Sequence, residues 1–82
     1  MDEGQIRSTV VAALQAIAPE LDAAALRHGD SLRNQVDLDS FDWLHFLIGL
    51  HEQFKVEIPE ADYKKLATID QLVAYIRAKV AA

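Results

Sequence analysis

Val36-Asp37-Leu38-Asp39-Ser40-Phe41-Asp42-Trp43-Leu44-His45-Phe46-Leu47-Ile48-Gly49-Leu50-His51-Glu52-Gln53-Phe54 is the most informative run in this chain. At about 100° per residue, Trp43, Phe46, Leu47, Leu50 and Phe54 fall on one side of a helix. That stripe alone makes a core face, and the helix is expected to run from near Ser40 to about Phe54. Phe41, Leu44 and Ile48 form a second stripe on nearly the opposite side, with His51 at its edge. A helix apolar all round calls for burial all round, and a short chain lacks the material for that. Either loop leucines cover the second stripe, or it is exposed and marks a partner surface. Phe41 favours the partner surface, because it sits at the very start of the helix, where cover is thinnest.

The chain around this helix is short. Its 82 residues form one domain (1–82) that buries only about 60% of its unfolded surface. Such a domain builds one modest core and leaves little room for catalytic machinery. Apolar residues make up 51%, with three Gly and two Pro, which excludes a disordered tail. Thirteen acidic residues against eight basic ones give a net charge of −5. That balance disfavours nucleic acid and anionic lipid and points to a basic protein partner. No apolar run reaches the roughly 18 residues of a membrane span. Met1-Asp2-Glu3-Gly4-Gln5 lacks the basic start and apolar stretch of a signal peptide. There is no cysteine, so disulfides and thiolate metal sites are excluded. The expectation is a cytoplasmic monomer without stable membrane insertion.

Outward from the central helix, Ile6, Val10, Ala13, Leu14 and Ile17 recur at helical spacing. Asp2 and Gln5 suit a capping box and Pro19 a stop, giving a first helix from Glu3 to Ile17. From Ala18 to Asp39 the apolar residues are irregular. Asp22 suits the cap of one short turn, Gly29-Asp30 reads as a break, and Leu21, Leu26, Leu32 and Val36 are expected to pin a long loop to the core. A short third helix is expected with Pro59 at its first position. Thr68 and Gln71 form a second capping box for a last helix whose Ile69, Leu72, Val73 and Ile76 face inward. The result is an all-α four-helix bundle with one long loop between its first two helices and a short third helix.

Several chemistries find no support. His45 and His51 lie about 120° apart around their helix, too far to share a metal, and His28 belongs to the loop, so no metal is expected. No Gly-x-Ser-x-Gly elbow is present. Asp37-x-Asp39 lacks the glycine and closing glutamate of a calcium loop. Lys64 and Lys65 are too few for a nucleic-acid patch. No catalytic constellation is present, and the chain reads as a non-enzyme.

The run Asp39-Ser40-Phe41 at the head of a long apolar helix resembles the attachment motif of acyl and peptidyl carrier proteins. The resemblance continues through His51-Glu52-Gln53-Phe54, Glu57-Ile58-Pro59 and Leu66-Ala67-Thr68-Ile69-Asp70-Gln71-Leu72 to Tyr75-Ile76, over almost the whole chain. It implies an acyl-carrier-like four-helix bundle. It also implies 4′-phosphopantetheine, delivered from coenzyme A by a phosphopantetheinyl transferase onto Ser40, with Asp39 helping the transferase to bind. The arm's thiol would hold an acyl or aminoacyl group as a thioester for acyl-loading and acyl-consuming enzymes. Those partners would meet Phe41, Asp42, Leu44, His45, Ile48, His51 and Glu52. An anion at a helix N-terminus is favourable in any case. Asp30-Ser31-Leu32 is a rival tripeptide, but Arg33-Asn34-Gln35 follows it, too polar for a partner-binding helix start. Serine at a helix start is otherwise an ordinary N-cap. The alternative function is an unmodified helical adaptor binding through Phe41, Leu44 and Ile48, for which Asp39-Ser40 has no use.

The sequence also departs from the family it resembles. Asp37 and Leu38 stand where Gly-Ala is common, and Phe41 replaces leucine or methionine. His45 and His51 replace helix glutamates that normally meet basic partners. These differences suggest a carrier dedicated to a specialised pathway (fatty-acid-like, lipid, polyketide or peptide). Bulky Trp43, Phe46 and Tyr63 would narrow any cavity for the cargo and favour a short or polar acyl group.

Overall fold

The computed structural model describes residues 2–81. Four α-helices follow one another: α1 (Glu3–Ile17), α2 (Leu32–Gln35), α3 (Ser40–Phe54) and α4 (Ile69–Ala81). Two 3-10 segments, Ala23–Ala25 and Glu60–Lys65, complete an architecture with no strand among the described residues. The expected helix bounds hold for α1 and α3. The loop contains one helix more than the sequence suggested, the single turn α2.

Helix starts follow their caps. Asp2 Oδ1 accepts from Gln5 N at 2.8 Å while Asp2 N donates to Gln5 Oε1 at 3.0 Å, satisfying two donors the helix leaves free. At α4, Gln71 N donates to Thr68 Oγ1 at 3.0 Å and Thr68 N to Gln71 Oε1 at 3.1 Å. Pro59 stands one position earlier than expected, at the cap of Glu60–Lys65 with ψ 148° rather than inside it. α3 ends on Lys55, whose φ of 55° is left-handed. His51 Nδ1 then lies 2.6 Å from the carbonyl oxygen of Val56. A carbonyl only accepts, so Nδ1 carries the proton and donates.

α1 packs against both α3 and α4. Ile6, Val10 and Leu14 from α1 meet Phe46, Leu47 and Leu50 from α3 and Ile69, Leu72, Val73 and Ile76 from α4 in one buried core. The loop leucines go into that core rather than over the second stripe of α3. Leu32, Val36 and Leu38 are buried, with Leu21 and Leu26 packed at the edge. Main-chain bonds fix the loop to the far end of the chain: Leu32 N donates to Ala67 O at 2.9 Å and Asp70 N to His28 O at 3.0 Å. Arg7 Nη1 reaches both His28 Nδ1 and Asp70 Oδ1 at 2.7 Å. Because guanidinium only donates, His28 Nδ1 is the acceptor. The Gln35 amide closes the loop on itself, accepting from Arg27 N at 2.7 Å and donating to Arg27 O at 2.8 Å. Buried backbone groups that lack helical partners are satisfied in this way.

Glu60–Lys65 is tied to α4 by one short bond. Tyr75 OH donates to Asp62 Oδ2 at 2.6 Å, and Lys65 Nζ stands 3.7 Å from Asp62 Oδ1. The phenol's hydrogen bond is the chief cause holding the Asp62 carboxyl below its ordinary value of 3.8. Burial first, and then the carboxylate, pushes the Tyr75 phenol up from 10.0 to about 12.

Two predictions test this packing. Leu32 has no exposed surface, whereas Phe41 is 65% exposed. Leu32→Ala should cost about 2–5 kcal/mol in urea unfolding, and Phe41→Ala less than about 0.5 kcal/mol. Equal costs would mean that the loop does not belong to the core. The second concerns pH. A depressed carboxyl contributes stability above the unfolded value, here 3.8, that is lost as pH falls through the lower folded value. A raised phenol contributes stability below 10.0 that is lost as pH climbs to about 12. Tyr75→Phe should therefore lower stability at neutral pH and unfold with a weaker dependence on pH at both extremes, read as Tm against pH beside the parent chain.

Candidate functional site: the first turn of α3 and its groove

The sequence Leu38-Asp39-Ser40 builds the start of α3 with separate duties. Leu38 is buried and fixes the entering chain. Leu38 and Trp43 occupy the positions of a hydrophobic staple, and Trp43 packs against the cluster that contains Leu38. Asp39 is the N-cap, with ψ 177°, and its Oδ1 accepts from Asp42 N at 2.8 Å. Ser40 is consequently the first helical residue and not the cap. Its ordinary role at a helix start is taken by its neighbour, and its hydroxyl stands outside the capping bond on an exposed residue. The free N–H groups of the first turn make this a favourable place for negative charge.

Ser31, the rival, is a different environment. It is half-buried and precedes a helix of only four residues, with no side-chain cap bond. Yet Ser31 lies beside the same groove as Ser40. A hollow of about 480 Å³ is lined by Ser31, Arg33, Ser40, Trp43, Leu44, Tyr63, Lys64, Leu66 and Ala67. The bond from Leu32 N to Ala67 O draws the loop against the end of Glu60–Lys65, and the groove lies along that junction. Reading the sequence missed Ser31, Arg33, Lys64, Leu66 and Ala67 as neighbours of Ser40. Their separation along the chain gives no periodic signal, and only the main-chain bond unites them.

The second stripe of α3 is bare. Phe41, Leu44 and Ile48 are 65%, 40% and 42% exposed. The Phe41 and His45 rings approach to 4.4 Å between centroids, tilted by 58°, one turn apart as expected for i and i+4. Asp42 is half-buried, and Glu52 is exposed further along the same helix. His51 is exposed, but Nδ1 is committed to the Val56 carbonyl. Of the three bulky residues read as narrowing a cavity, Trp43 and Tyr63 line the groove. Phe46 does not: it is fully buried, its ring 5.4 Å from that of Trp43, on the side of α3 that meets α1. Among the described residues no three His, Cys, Asp or Glu side chains gather as a metal site, and no helix is long and apolar enough to cross a membrane.

A phosphopantetheine group fits these residues. It needs an exposed hydroxyl that is not holding a helix together, and Ser40 supplies one. It also needs space for a thin amphipathic chain beside that hydroxyl, and the groove starts at Ser40.

Comparison with known proteins agrees. The family model for the phosphopantetheine attachment site matches residues 8–76. An acyl carrier protein of Lactobacillus acidophilus is 31% identical over 58 residues, covering 71% of this chain and 72% of that protein. Acyl carrier proteins of two strains of Campylobacter jejuni are 36% and 34% identical over 56 residues, covering 68% of this chain and 73% of each of theirs. No solved structure gives a significant match. In acyl carrier proteins this domain is where 4′-phosphopantetheine is covalently attached. A capped helix with an exposed leading serine, in an all-helical domain matched along most of its length, places this chain in the phosphopantetheine-attachment family of acyl carrier proteins.

Proposed function

We propose that the arm is attached at Ser40 and that the domain presents its cargo to partner enzymes without catalysing a reaction. The observation that supports this most directly is the division of labour at the start of α3: Asp39 caps the helix, and Ser40 stands exposed beside it. In loading, the Ser40 oxygen forms a bond to phosphorus of coenzyme A, the bond from that phosphorus to the nucleotide half breaks, and the hydroxyl proton is released. Asp39 uses Oδ1 for the cap and keeps Oδ2 for the transferase and its magnesium ion. Once bound, the arm's terminal thiol supplies thioester chemistry for an acyl or aminoacyl group.

The partner surface is the bare side of α3. Phe41, Leu44 and Ile48 supply its apolar centre, with Asp42, His45, His51 and Glu52 around it. Burying a large apolar side chain on association contributes about 1.5–3 kcal/mol. Charge guides encounter more than it sets affinity. With two histidines among these flanking residues, association should depend on salt less than it does for a carrier with acidic groups there. We infer service to a dedicated pathway, because His45 and His51 leave Asp42 and Glu52 as the acidic groups of this face beside Asp39, fewer than general fatty-acid enzymes meet.

Three measurements test the proposal. Incubation with coenzyme A, magnesium and a broad-specificity transferase should give one phosphopantetheinyl adduct by intact mass, lost in Ser40→Ala and kept in Ser31→Ala. No adduct with several transferases would favour an adaptor that uses the same face, and loss in Ser31→Ala alone would move the attachment to the loop. For specialisation, the general fatty-acid enzymes of the same organism should load or elongate the holo protein more slowly than they do the housekeeping carrier. Equal rates would rule the dedicated role out. Phe41→Ala should lower transfer by the true partner roughly tenfold or more while leaving the fold intact.

A further inference from the structure

The chain has eight Lys and Arg residues, and most have identifiable partners or positions. Arg7 pairs with Asp70 at 2.7 Å, Arg27 with Asp30 at 2.6 Å, Lys65 with Asp62 at 3.7 Å and Arg77 with Glu3 at 3.6 Å. Lys79 Nζ lies 5.3 Å from the centre of the Tyr75 ring, and Lys55 terminates α3. Among the described residues, Arg33, Lys55, Lys64 and Lys79 pair with no carboxylate, and of these Arg33 and Lys64 alone line the groove. They come from different elements, α2 and the segment Glu60–Lys65, yet both line the groove that Ser40 lines. A protein with a net charge of −5 thus places two uncommitted cations around one hollow. Trp43, Leu44, Tyr63 and Leu66 give the same hollow an apolar lining.

We propose that Arg33 and Lys64 hold the phosphodiester of the arm and dock the arm along this groove, an inference that rests on attachment at Ser40. Connectivity selects the occupant. The first group beyond the Ser40 oxygen is a phosphodiester anion, and the next is an apolar dimethyl carbon followed by two amides. The order matches cations around a hollow with an apolar lining. Guanidinium and ammonium are the two side-chain cations that recognise phosphate, one by paired hydrogen bonds and one as a point charge. A volume of about 480 Å³ lies in the range of small-molecule sites, about 300–1,000 Å³. Both cations are exposed, so the hold is screened by salt and is reversible. A partner enzyme gains access to the thiol by drawing the arm out of the groove.

The test uses the full chain in its apo and holo forms, with the adduct at Ser40 verified first by intact mass. On conversion to holo, amide chemical shifts should move at Arg33, Tyr63, Lys64 and Ala67 as well as around Ser40. A labelled arm should relax with the protein rather than as a free chain. In Arg33→Gln/Lys64→Gln, with melting temperature unchanged, the distant shifts should vanish and the arm should tumble freely, and high salt should do the same to the parent protein. A freely tumbling arm in the parent holo form would overturn the proposal, as would groove shifts that survive the double substitution. Shifts that arise only when an acyl group ending in a carboxylate is loaded would overturn it too and assign the cations to cargo. Absence of any adduct at Ser40 overturns the attachment reading and this one together, and the mass spectrum identifies that case.

Discussion

α1 and α4 supply long apolar faces, and the body of α3 is covered from the α1 side. Among the described residues no further long helix covers the other. In a chain of 82 residues the connections before and after α3 are the remaining described material, and their apolar side chains, Val56 and Leu66 included, are spent on the core. Leu32, Val36 and Leu38 are drawn inward, where each gives its full transfer free energy. The second stripe of α3 stays in water because nothing is left to bury it. The exposed Phe41, Leu44 and Ile48 are therefore the remainder of a small core built around a doubly apolar helix, and the exposed Ser40 sits at the head of that helix.

Local patterns were legible in the sequence wherever the physics is local. Asp2 with Gln5 and Thr68 with Gln71 act over three residues, and the structure contains both boxes. The bounds of α3 follow from a 3.6-residue period, and the bareness of its second face follows from chain length. Features resting on contacts between distant residues were not legible. α2 exists because Leu32 is buried and its N–H bonds to Ala67, although Arg33-Asn34-Gln35 shows no helical pattern. Gln35 reads as a solvated loop residue, yet its amide closes the loop on Arg27. His51 reads as a surface residue and is exposed, but its bond to the Val56 carbonyl just beyond α3 was not legible. The position of Ser40 at the head of α3 was legible through its motif, but the groove beside it was not, since two of its walls lie more than 20 positions apart in sequence.

The groove depends on a segment with little regular structure of its own. Glu60–Lys65 contributes no fully buried side chain. It is placed by the bond from Tyr75 to Asp62 and by the buried Leu66 that follows. Such a segment is cheap to displace compared with α1, α3 or α4. The domain thus combines a firm three-helix core with one compliant wall, and the compliant wall lines the groove beside Ser40.

Asp39 has a further consequence. Because the cap is a neighbouring carboxylate rather than the serine hydroxyl, esterifying Ser40 removes no hydrogen bond on which α3 depends. A covalent change at this hydroxyl therefore leaves the capping bond of α3 in place. The helix face that Phe41, Leu44 and Ile48 form is thus held in place independently of whatever the Ser40 hydroxyl carries.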